Sequence, residues 1–433
     1  MRPIADVASD LGISAADIEP YGRYKAKIPL DSFPSGEANG GTGKLIVVTA
    51  ITPTPAGEGK STVAVGLTQG LAKIGKRSAL TIRQPSLGPV FGQKGGGTGG
   101  GGATVQPAEE INLHLTGDFH AVMSAHNLLA ALTDNTVFRH QIDGFEADGI
   151  TWRRVTDAED RALRHAAVGL NGDGPMRQTG YDISAASEIM AILALADGYD
   201  DLRTRLGQIV VGWTRDRRPV SAGQIGAVGS MMALLRDAMM PNLCQTLEGQ
   251  PAIVHMGPFG NIAHGCSSIL ADKLAVASAE YVVTEAGFGA DLGFEKFMDI
   301  KVRQGGPKPD AAVVVCTVRG LKYHGGVDLK ELSKPDVDAV KMGTNNLRNA
   351  IHIVAMFGLE AIVAINRFPE DTPAELEAVK AAALDANAEA VAEAKGFAEG
   401  GDGMTELAEA VVAVADAGSD VSLLYDDDES TIA

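Results

Sequence analysis

The chain contains seven short runs in which almost every position is hydrophobic. They lie at residues 44–52, 77–84, 207–214, 251–259, 280–288, 310–318 and 360–368. Continuous rather than alternating hydrophobicity is typical of strands that are buried on both faces. Helix-like segments lie between these runs, including residues 230–240 and 373–394. Strands that alternate with helices predict an α/β fold, with a mostly parallel sheet and helices on both of its faces.

Four of these runs end in residues that can bind ligands. They are Arg83-Gln84, Gly257-Pro258-Phe259, Glu285-Ala286-Gly287-Phe288 and Asn366-Arg367-Phe368. In an open parallel sheet, ligands bind beyond the carboxyl ends of the strands. Any one of these endings is equally compatible with an ordinary cap or turn. Four of them together predict a shared cleft.

The segment TPTPAGEGKSTV, residues 52–63, resembles a phosphate-binding loop between an apolar run and a helix-like segment. Gly59-Lys60-Ser61 completes the pattern G-x-x-x-x-G-K-[ST], although Thr54 stands where the first glycine is expected. In such a loop the backbone N–H groups surround a phosphate, the lysine reaches the β- and γ-phosphates, and the Ser61 hydroxyl binds Mg²⁺. The predicted ATP-binding residues are Thr54, Pro55, Ala56, Gly57, Glu58, Gly59, Lys60 and Ser61. A chance match to the pattern is the alternative.

Two features that follow the loop extend the predicted site. Arg83 is placed for a bidentate contact with a phosphate or a carboxylate, and a surface salt bridge is its alternative role. Residues 92–102, GQKGGGTGGGG, have the composition of a flexible linker. The lysine within this segment and the polar motifs on both sides favour a part in the site instead.

The segment at residues 111–131 brings several polar side chains together within a few turns. They are His114, Asp118, His120, His126 and Asn127. The spacing is not that of a zinc-binding helix, because Gly117 interrupts it and no H-E-x-x-H pattern is present. We predict a polar wall of the ligand site, and a structural role stays open for each histidine.

Length, charge and cysteine content narrow the class of protein. A chain of 433 residues is long enough for two or three domains. A net charge of -18 disfavours nucleic acid as a partner, because such a surface repels phosphate backbones. Three scattered cysteines predict neither a disulfide framework nor a zinc site. The first residues do not have the pattern of a signal peptide and no apolar run is long enough for a membrane span, so we predict a cytoplasmic protein.

Several motifs in order along the chain resemble those of formate–tetrahydrofolate ligases. They are TPTPAGEGKST, RQPSLGPVFGQKGGGTGGGG, EEINLHLTGDFHAVMSAHNLLAA, TLEGQPAIVHMGPFGNIAHGC, VVTEAGFGADLGFEKF and CTVRGLKYHGG. The resemblance implies that formate, ATP and tetrahydrofolate are converted through formyl phosphate into 10-formyltetrahydrofolate, ADP and phosphate. It also implies that Mg²⁺ accompanies ATP and that the protein is a homotetramer, with a monovalent cation as a further candidate cofactor.

The same resemblance assigns roles to individual residues. Lys60 matches the lysine of the family's loop, and Arg83 matches the arginine that holds formyl phosphate. Phe368 lies on one side of the pterin slot by similarity, and Phe288 is expected in the same cleft. Phe397 stands where the family often has a tryptophan, and its smaller ring is expected to stack more weakly on the pterin.

The resemblance also suggests how the chain is divided. We predict a nucleotide-binding domain over residues 1–310, a smaller α/β domain that contributes to the folate site over residues 311–420, and the start of a shortened C-terminal domain over residues 421–433. Two other functions stay open. One is an ATPase of the partitioning class, which shares similar loops with bacterial tyrosine kinases. The other is an inactive fragment that binds nucleotide or folate.

Overall fold

The computed structural model describes residues 1–34, 43–91 and 97–427. Its strands are β1 Glu19–Pro20, β2 Ala26–Lys27, β3 Lys44–Ala50, β4 Ser78–Arg83, β5 Gly99–Gly100, β6 Ala103–Gln106, β7 Arg154–Thr156, β8 Ala166–Val168, β9 Arg177–Thr179, β10 Tyr181–Ile183, β11 Val210–Trp213, β12 Pro219–Ser221, β13 Asn242–Thr246, β14 Pro251–His255, β15 Tyr281–Glu285, β16 Ala311–Cys316, β17 Ala361–Asn366 and β18 Ala390–Ala394.

The helices separate most of these strands along the chain. They are α1 Ile4–Asp10, α2 Lys60–Lys73, α3 Leu87–Val90, α4 Ala108–Leu113, α5 Asp118–Phe138, α6 Glu188–Leu195, α7 Tyr199–Gln208, α8 Ala222–Ile225, α9 Val228–Leu235, α10 Ile269–Ser278, α11 Val318–His324, α12 Val337–Met356, α13 Pro373–Asp385, α14 Gly396–Glu399 and α15 Thr405–Ala417.

One large sheet organises the molecule, and its central strands run in the order β14-β4-β15-β3-β16-β17-β18. All neighbours within this series are parallel. On the β14 side, β13 continues the sheet in the antiparallel direction. The prediction of an α/β fold with a mostly parallel sheet is therefore confirmed. Because these strands are parallel, their carboxyl ends meet at one edge of the sheet, where the predicted ligand residues follow them.

Both faces of the sheet are covered, which explains why the strands read as continuous apolar runs. Leu45 and Val47 of β3 belong to one hydrophobic core, which α10 and α12 complete. Ile46 and Val48 belong to a second core on the opposite face, completed by α2 and α15. Successive side chains of a strand point to opposite faces, so each face requires its own apolar residues.

A third hydrophobic core is built almost entirely from residues 119–239. It surrounds the long helix α5, against which α9 packs. This part of the chain lies between β6 and β13, and therefore interrupts the sequence of the main sheet. Small strand pairs, including β7 with β10 and β8 with β9, lie in this inserted region.

The predicted boundary at residue 310 does not coincide with a break in the sheet. The strand β16 pairs with β3 on one side and with β17 on the other, so strands from both sides of residue 310 form one sheet. The hydrophobic pattern marks a strand as buried but does not say which strands pair. The division of the chain into domains stays a prediction, and residues 428–433 at its end lie outside the described residues.

Two predicted elements are wrong. Residues 207–214 contain the strand β11, but it does not belong to the main sheet. It pairs with β12 in an antiparallel ribbon with exposed Val210 and Trp213 side chains, and its Gly212 forms an isolated bridge with Ile150. Residues 373–394 do not form one helix, since α13 ends at Asp385 and β18 follows. The alanine-rich composition of the second half hides the strand, which pairs with β17 and buries Ala392 and Ala394 in the core.

In the described part of the chain, no helix has both the length and the apolar composition that a membrane span requires.

Candidate active site

The segment that resembles a phosphate-binding loop connects β3 to α2 at the centre of the sheet. β3 ends at Ala50, and α2 begins at Lys60. Gly57 and Gly59 have φ angles of 74° and 72°, a left-handed conformation in which a β-carbon would be strained. A side chain at residue 59 would also collide with the amide of Asn366, which itself donates to the Glu58 carbonyl at 2.9 Å. The glycines therefore set the shape of this loop.

The buried carboxylate of Glu58 stabilises the loop through hydrogen bonds from two threonine hydroxyls. It is 5% exposed, and one of its oxygens accepts a hydrogen bond from the Thr54 hydroxyl at 2.8 Å. The other oxygen accepts from the Thr317 hydroxyl at 2.5 Å. Thr317 also caps the start of α11, accepting from the Gly320 N–H at 2.9 Å. The threonine in place of the usual first glycine is thus part of a hydrogen-bond network that fixes the loop.

Lys60 and Ser61, at the start of α2, face the carboxyl ends of neighbouring strands. The Lys60 ammonium donates to the Phe288 carbonyl at 2.7 Å. The Ser61 hydroxyl donates to the Glu285 carboxylate at 2.7 Å, and Glu285 is the last residue of β15. The first turn of a helix attracts anions through its free N–H groups and its dipole. A phosphate at this position would have the lysine and the serine hydroxyl within reach.

Arg83 lies at the end of β4, next to the same carboxylate. Its guanidinium is 3.8 Å from the second oxygen of Glu285, and it donates to the Pro258 carbonyl at 3.2 Å. Its Nε is buried and forms no hydrogen bond within the described residues. Burial, together with the charges of Lys301 and Arg83, lowers the pKa of nearby His264 to about 3. This corner of the site therefore carries fixed positive charge that suits an anionic ligand.

Three phenylalanines follow the carboxyl ends of β15, β17 and β18. Phe288 has a φ angle of 61°, and its side chain is 39% exposed although it is apolar. Phe368 lies under the guanidinium of Arg319, whose central carbon is 3.8 Å from the ring centroid. That arginine also donates to the Gly57 carbonyl at 3.2 Å and so connects the ring to the loop.

The third ring, Phe397, is 64% exposed at the far end of the same edge. Its ring packs over Gly100, in the described part of the glycine-rich segment. A β-carbon at Gly100 would lie 3.2 Å from its ring, and its carbonyl accepts from the Gly102 N–H at 2.8 Å. Glycines are needed here because the backbone passes directly beneath the ring. Residues 92–96, including the lysine of this segment, lie outside the described residues.

Comparison with known proteins connects this geometry to one enzyme family. The family model for formate–tetrahydrofolate ligase matches residues 1–433. The chain belongs to the formate–tetrahydrofolate ligase family. A formate–tetrahydrofolate ligase of Cereibacter sphaeroides is 54% identical over 428 residues, covering 98% of this chain and 76% of the relative. The enzymes of Myxococcus xanthus and Desulforamulus reducens are each 50% identical, over 98% and 99% of this chain and 78% and 77% of their own lengths.

Among the residues predicted to form a polar wall of the ligand site, Asp118 and Asn127 have hydrogen-bond partners within the protein. Asp118 is 2% exposed, and its two oxygens accept from Lys27 at 2.5 Å and from Asn242 at 2.6 Å. Asn127 exchanges hydrogen bonds with the backbone of Val155. These contacts favour a structural role for both side chains.

His126 is likewise packed inside the inserted region. Its ring stacks on Trp152 with centroids 4.2 Å apart, and its Nε2 donates to the Arg153 carbonyl at 3.0 Å. Burial lowers the pKa of His126 to about 4, so the ring is neutral at pH 7. His114 and His120 are exposed, with ring centroids 6.4 Å apart. A place for these two in the wall of the site stays a prediction.

Several residues of the site were not singled out by sequence reasoning. Glu285 and Asn366 stand out in the sequence only as strand endings, and Thr317 and Arg319 lie just beyond the end of β16. All four share one sequence signal, because each is a polar residue at or just beyond the carboxyl end of a buried strand. Their separation along the chain conceals that they surround one loop.

The oxygen atoms of Ser61 and Glu285 also bear on the predicted Mg²⁺. Magnesium prefers oxygen ligands and usually shares them with the phosphates of its nucleotide. A serine hydroxyl and a carboxylate in hydrogen-bond contact beside the loop fit that preference. Among the described residues, no group of three or more His, Cys, Asp or Glu side chains forms a metal cluster.

The Thr317 hydroxyl gives a first testable prediction. Thr317→Val removes the donor to the buried Glu58 carboxylate and the cap of α11, so we expect a loss of about 1–3 kcal/mol in the free energy of unfolding. We also expect a higher KM for ATP, because the loop loses its internal support. Thr317→Ser keeps the hydroxyl and is the matched control. An unchanged urea midpoint in the valine variant would contradict this role.

Proposed function

We propose that this chain ligates formate to tetrahydrofolate at the expense of ATP, giving 10-formyltetrahydrofolate, ADP and phosphate through formyl phosphate. Family membership supports the overall reaction. The observation that carries the residue assignments is the convergence of Lys60, Ser61, Glu285 and Arg83 at the ends of β3, β4 and β15. Two cations near the ends of neighbouring strands suit the transfer of a phosphoryl group between two anions.

The first step joins formate to the γ-phosphoryl group of ATP. A formate oxygen attacks the γ-phosphorus, the bond to the β-phosphate oxygen breaks, and ADP leaves. Lys60 neutralises charge on the transferred group, which requires exchange of its present contact with the Phe288 carbonyl. When bound with ATP, Mg²⁺ would neutralise charge on the β- and γ-phosphates next to Ser61 and Glu285.

The second step transfers the formyl group. Arg83 holds formyl phosphate through its planar pair of N–H donors, and the N10 amine of tetrahydrofolate attacks the formyl carbon. Phosphate leaves with the electron pair of the broken C–O bond, and N10 loses a proton. Phe288, Phe368 and Phe397 supply exposed or partly exposed rings along the same edge, against which the pterin stacks.

The decisive experiment measures formate-dependent release of ADP with tetrahydrofolate present. We expect ADP release to require formate and to equal the amount of 10-formyltetrahydrofolate formed. Release of ADP without formate would favour the partitioning-class ATPase. Binding of ATP and folate without turnover would favour the inactive fragment. Repeating the assay with and without potassium tests the monovalent cation.

Replacement of Arg83 tests its assignment. Arg83→Ala is expected to lower formyl transfer by about tenfold, roughly 1.4 kcal/mol of barrier, because formyl phosphate loses its bidentate partner. The KM for ATP is expected to change little. Arg83→Lys keeps the charge without the planar donor pair and is expected to recover only part of the rate. Full activity in the alanine variant would remove Arg83 from the mechanism.

From the family resemblance we also propose that the protein is a homotetramer located in the cytoplasm. Light scattering coupled to gel filtration measures the mass directly, for comparison with 44.9 kDa for one chain. A mass of one chain across the micromolar range would contradict the tetramer.

A further inference from the structure

Arg319, in the first turn of α11, contacts both the loop at residues 52–63 and the ring of Phe368. One of its guanidinium nitrogens, Nη2, donates to the Gly57 carbonyl at 3.2 Å and to the Ala56 carbonyl at 3.4 Å. The central carbon of the same guanidinium is 3.8 Å from the centroid of the Phe368 ring. One planar group therefore touches the loop proposed to bind ATP and the ring proposed to stack on the pterin.

A second contact joins the turn that carries Phe368 to the next carbonyl of the loop. Asn366 donates through Nδ2 to the Glu58 carbonyl at 2.9 Å. The Phe368 N–H donates to the Asp371 carboxylate at 2.8 Å, which fixes the backbone of the turn. Two consecutive loop carbonyls, those of Gly57 and Glu58, are thus joined to the surroundings of one ring. The position of the ring therefore depends on the conformation of the loop.

The acceptors that Arg319 uses are neutral. Both are backbone carbonyls, and its Nε is buried and forms no hydrogen bond within the described residues. A guanidinium more often uses its planar donors on a carboxylate or a phosphate. Its contacts with two carbonyls and a ring keep its positive charge beside the loop, where the phosphates of ATP are proposed to bind.

Binding at the loop and stacking at the ring share the ordering of the same groups. An anion that binds the loop fixes its backbone, and the Gly57 carbonyl then holds Arg319 over the ring. A pterin that stacks on the other face of Phe368 fixes the ring, and with it the guanidinium, in the same arrangement. The first ligand to bind loses the conformational entropy of these groups, so the second binds more tightly. The enhancement is reciprocal, because each ligand changes the affinity for the other by the same factor.

We propose that Arg319 is a positioning residue that couples the binding of ATP at the loop to the stacking of tetrahydrofolate on Phe368. The inference rests on the proposed function, because it requires the pterin to lie at Phe368. It adds a role for a side chain that acts through the loop and the ring rather than on the reacting atoms. The coupling depends on the guanidinium, because only a planar cation both covers the ring and donates to the loop.

The test measures the Kd for tetrahydrofolate by calorimetry, with and without the nonhydrolysable analogue β,γ-imido-ATP and without formate. In the wild type we expect the analogue to lower this Kd about fivefold, and tetrahydrofolate to lower the Kd for the analogue by the same factor. In Arg319→Met we expect both ratios to fall to about one, since methionine fills space without the charge or the planar donors. Arg319→Lys keeps the charge alone and is expected to retain a ratio of about two.

Two further variants separate this coupling from a general effect. Arg23→Met is the matched control, because it removes a guanidinium that lies 5.7 Å from the ring centroid of Tyr24, between β1 and β2. We expect it to keep the wild-type ratio. Phe368→Leu removes the ring and is expected to lower the ratio to about one, with no further loss when Arg319→Met is added, because both changes break one contact.

The possible results have different consequences. An Arg319→Met variant with a lower urea midpoint but the wild-type ratio would overturn the proposal and leave Arg319 a purely structural role. A wild type that formed 10-formyltetrahydrofolate but had equal Kd values with and without the analogue would also overturn it, while the proposed function would stand. A wild type that bound the analogue but no tetrahydrofolate would contradict both.

Discussion

Lys60→Ala is expected to lower kcat for formyl transfer by about 100-fold, because one charged donor to the transferred phosphoryl group is lost. The ammonium lies on the first residue of α2, and the anion-attracting start of that helix remains in the variant. Binding of ATP is therefore expected to weaken less than turnover. Steady-state rates with saturating formate and tetrahydrofolate, together with calorimetric binding of ATP, separate the two effects.

Lys73→Ala is the matched control for this variant. Lys73 is the last residue of the same helix, and its ammonium pairs with Glu248 at 3.4 Å and with Asp402 at 3.1 Å. We expect its removal to leave kcat unchanged, since a half-exposed surface pair contributes little. A Lys60→Ala enzyme with more than a third of wild-type kcat would contradict the role of Lys60 in phosphoryl transfer.

Lys27→Met is expected to lower the free energy of unfolding by about 3–5 kcal/mol, because it leaves the carboxylate of Asp118 buried without its cation. Both side chains are almost fully buried, and their charged atoms are 2.5 Å apart. Burial lowers the pKa of Lys27, and the charge of Asp118 opposes that effect. Urea unfolding measures the loss, and the KM for ATP is expected to stay the same in the folded fraction.

A second substitution distinguishes a structural ion pair from a residue of the ligand site. Adding Asp118→Asn to Lys27→Met removes the unpaired charge and is expected to recover part of the stability. Arg218→Ala breaks an exposed pair with Asp216 and is expected to leave the urea midpoint unchanged, because solvent screens such a pair. A raised KM for folate or ATP with an unchanged free energy of unfolding would instead indicate that Asp118 lines the ligand site.

The loop at residues 52–63 and the polar segment at residues 111–131 differ in how well their local sequence predicts their surroundings in the fold. The loop was predicted with its strand, its glycines and its helix, because a phosphate site of this type is built from consecutive residues. The polar side chains of α5 were equally close in sequence, yet Asp118 and His126 face buried partners far along the chain. Spacing along one helix does not reveal what packs against it.

Some features of the site are visible in the sequence, but the residues that they contact in the fold are not. The ending of β15 was recognised as a candidate, but its Glu285 becomes significant only beside Ser61 and Arg83. The sequence of β18 predicts a helix because alanine and glutamate favour helices in isolation. Its pairing with β17 overrides that preference and positions Phe397 at the edge of the site.

Local patterns and the order of the motifs in the sequence were enough to establish the α/β class, the position of the loop that resembles a phosphate-binding loop, and the family. The strand order, the hydrogen-bond network around Glu58 and the burial of Asp118 could be seen only once the chain was folded. It also showed that residues 119–239 form their own core beside the sheet. The reason is physical: strand pairing and the partners of buried polar groups are set by contacts between residues that are distant in sequence.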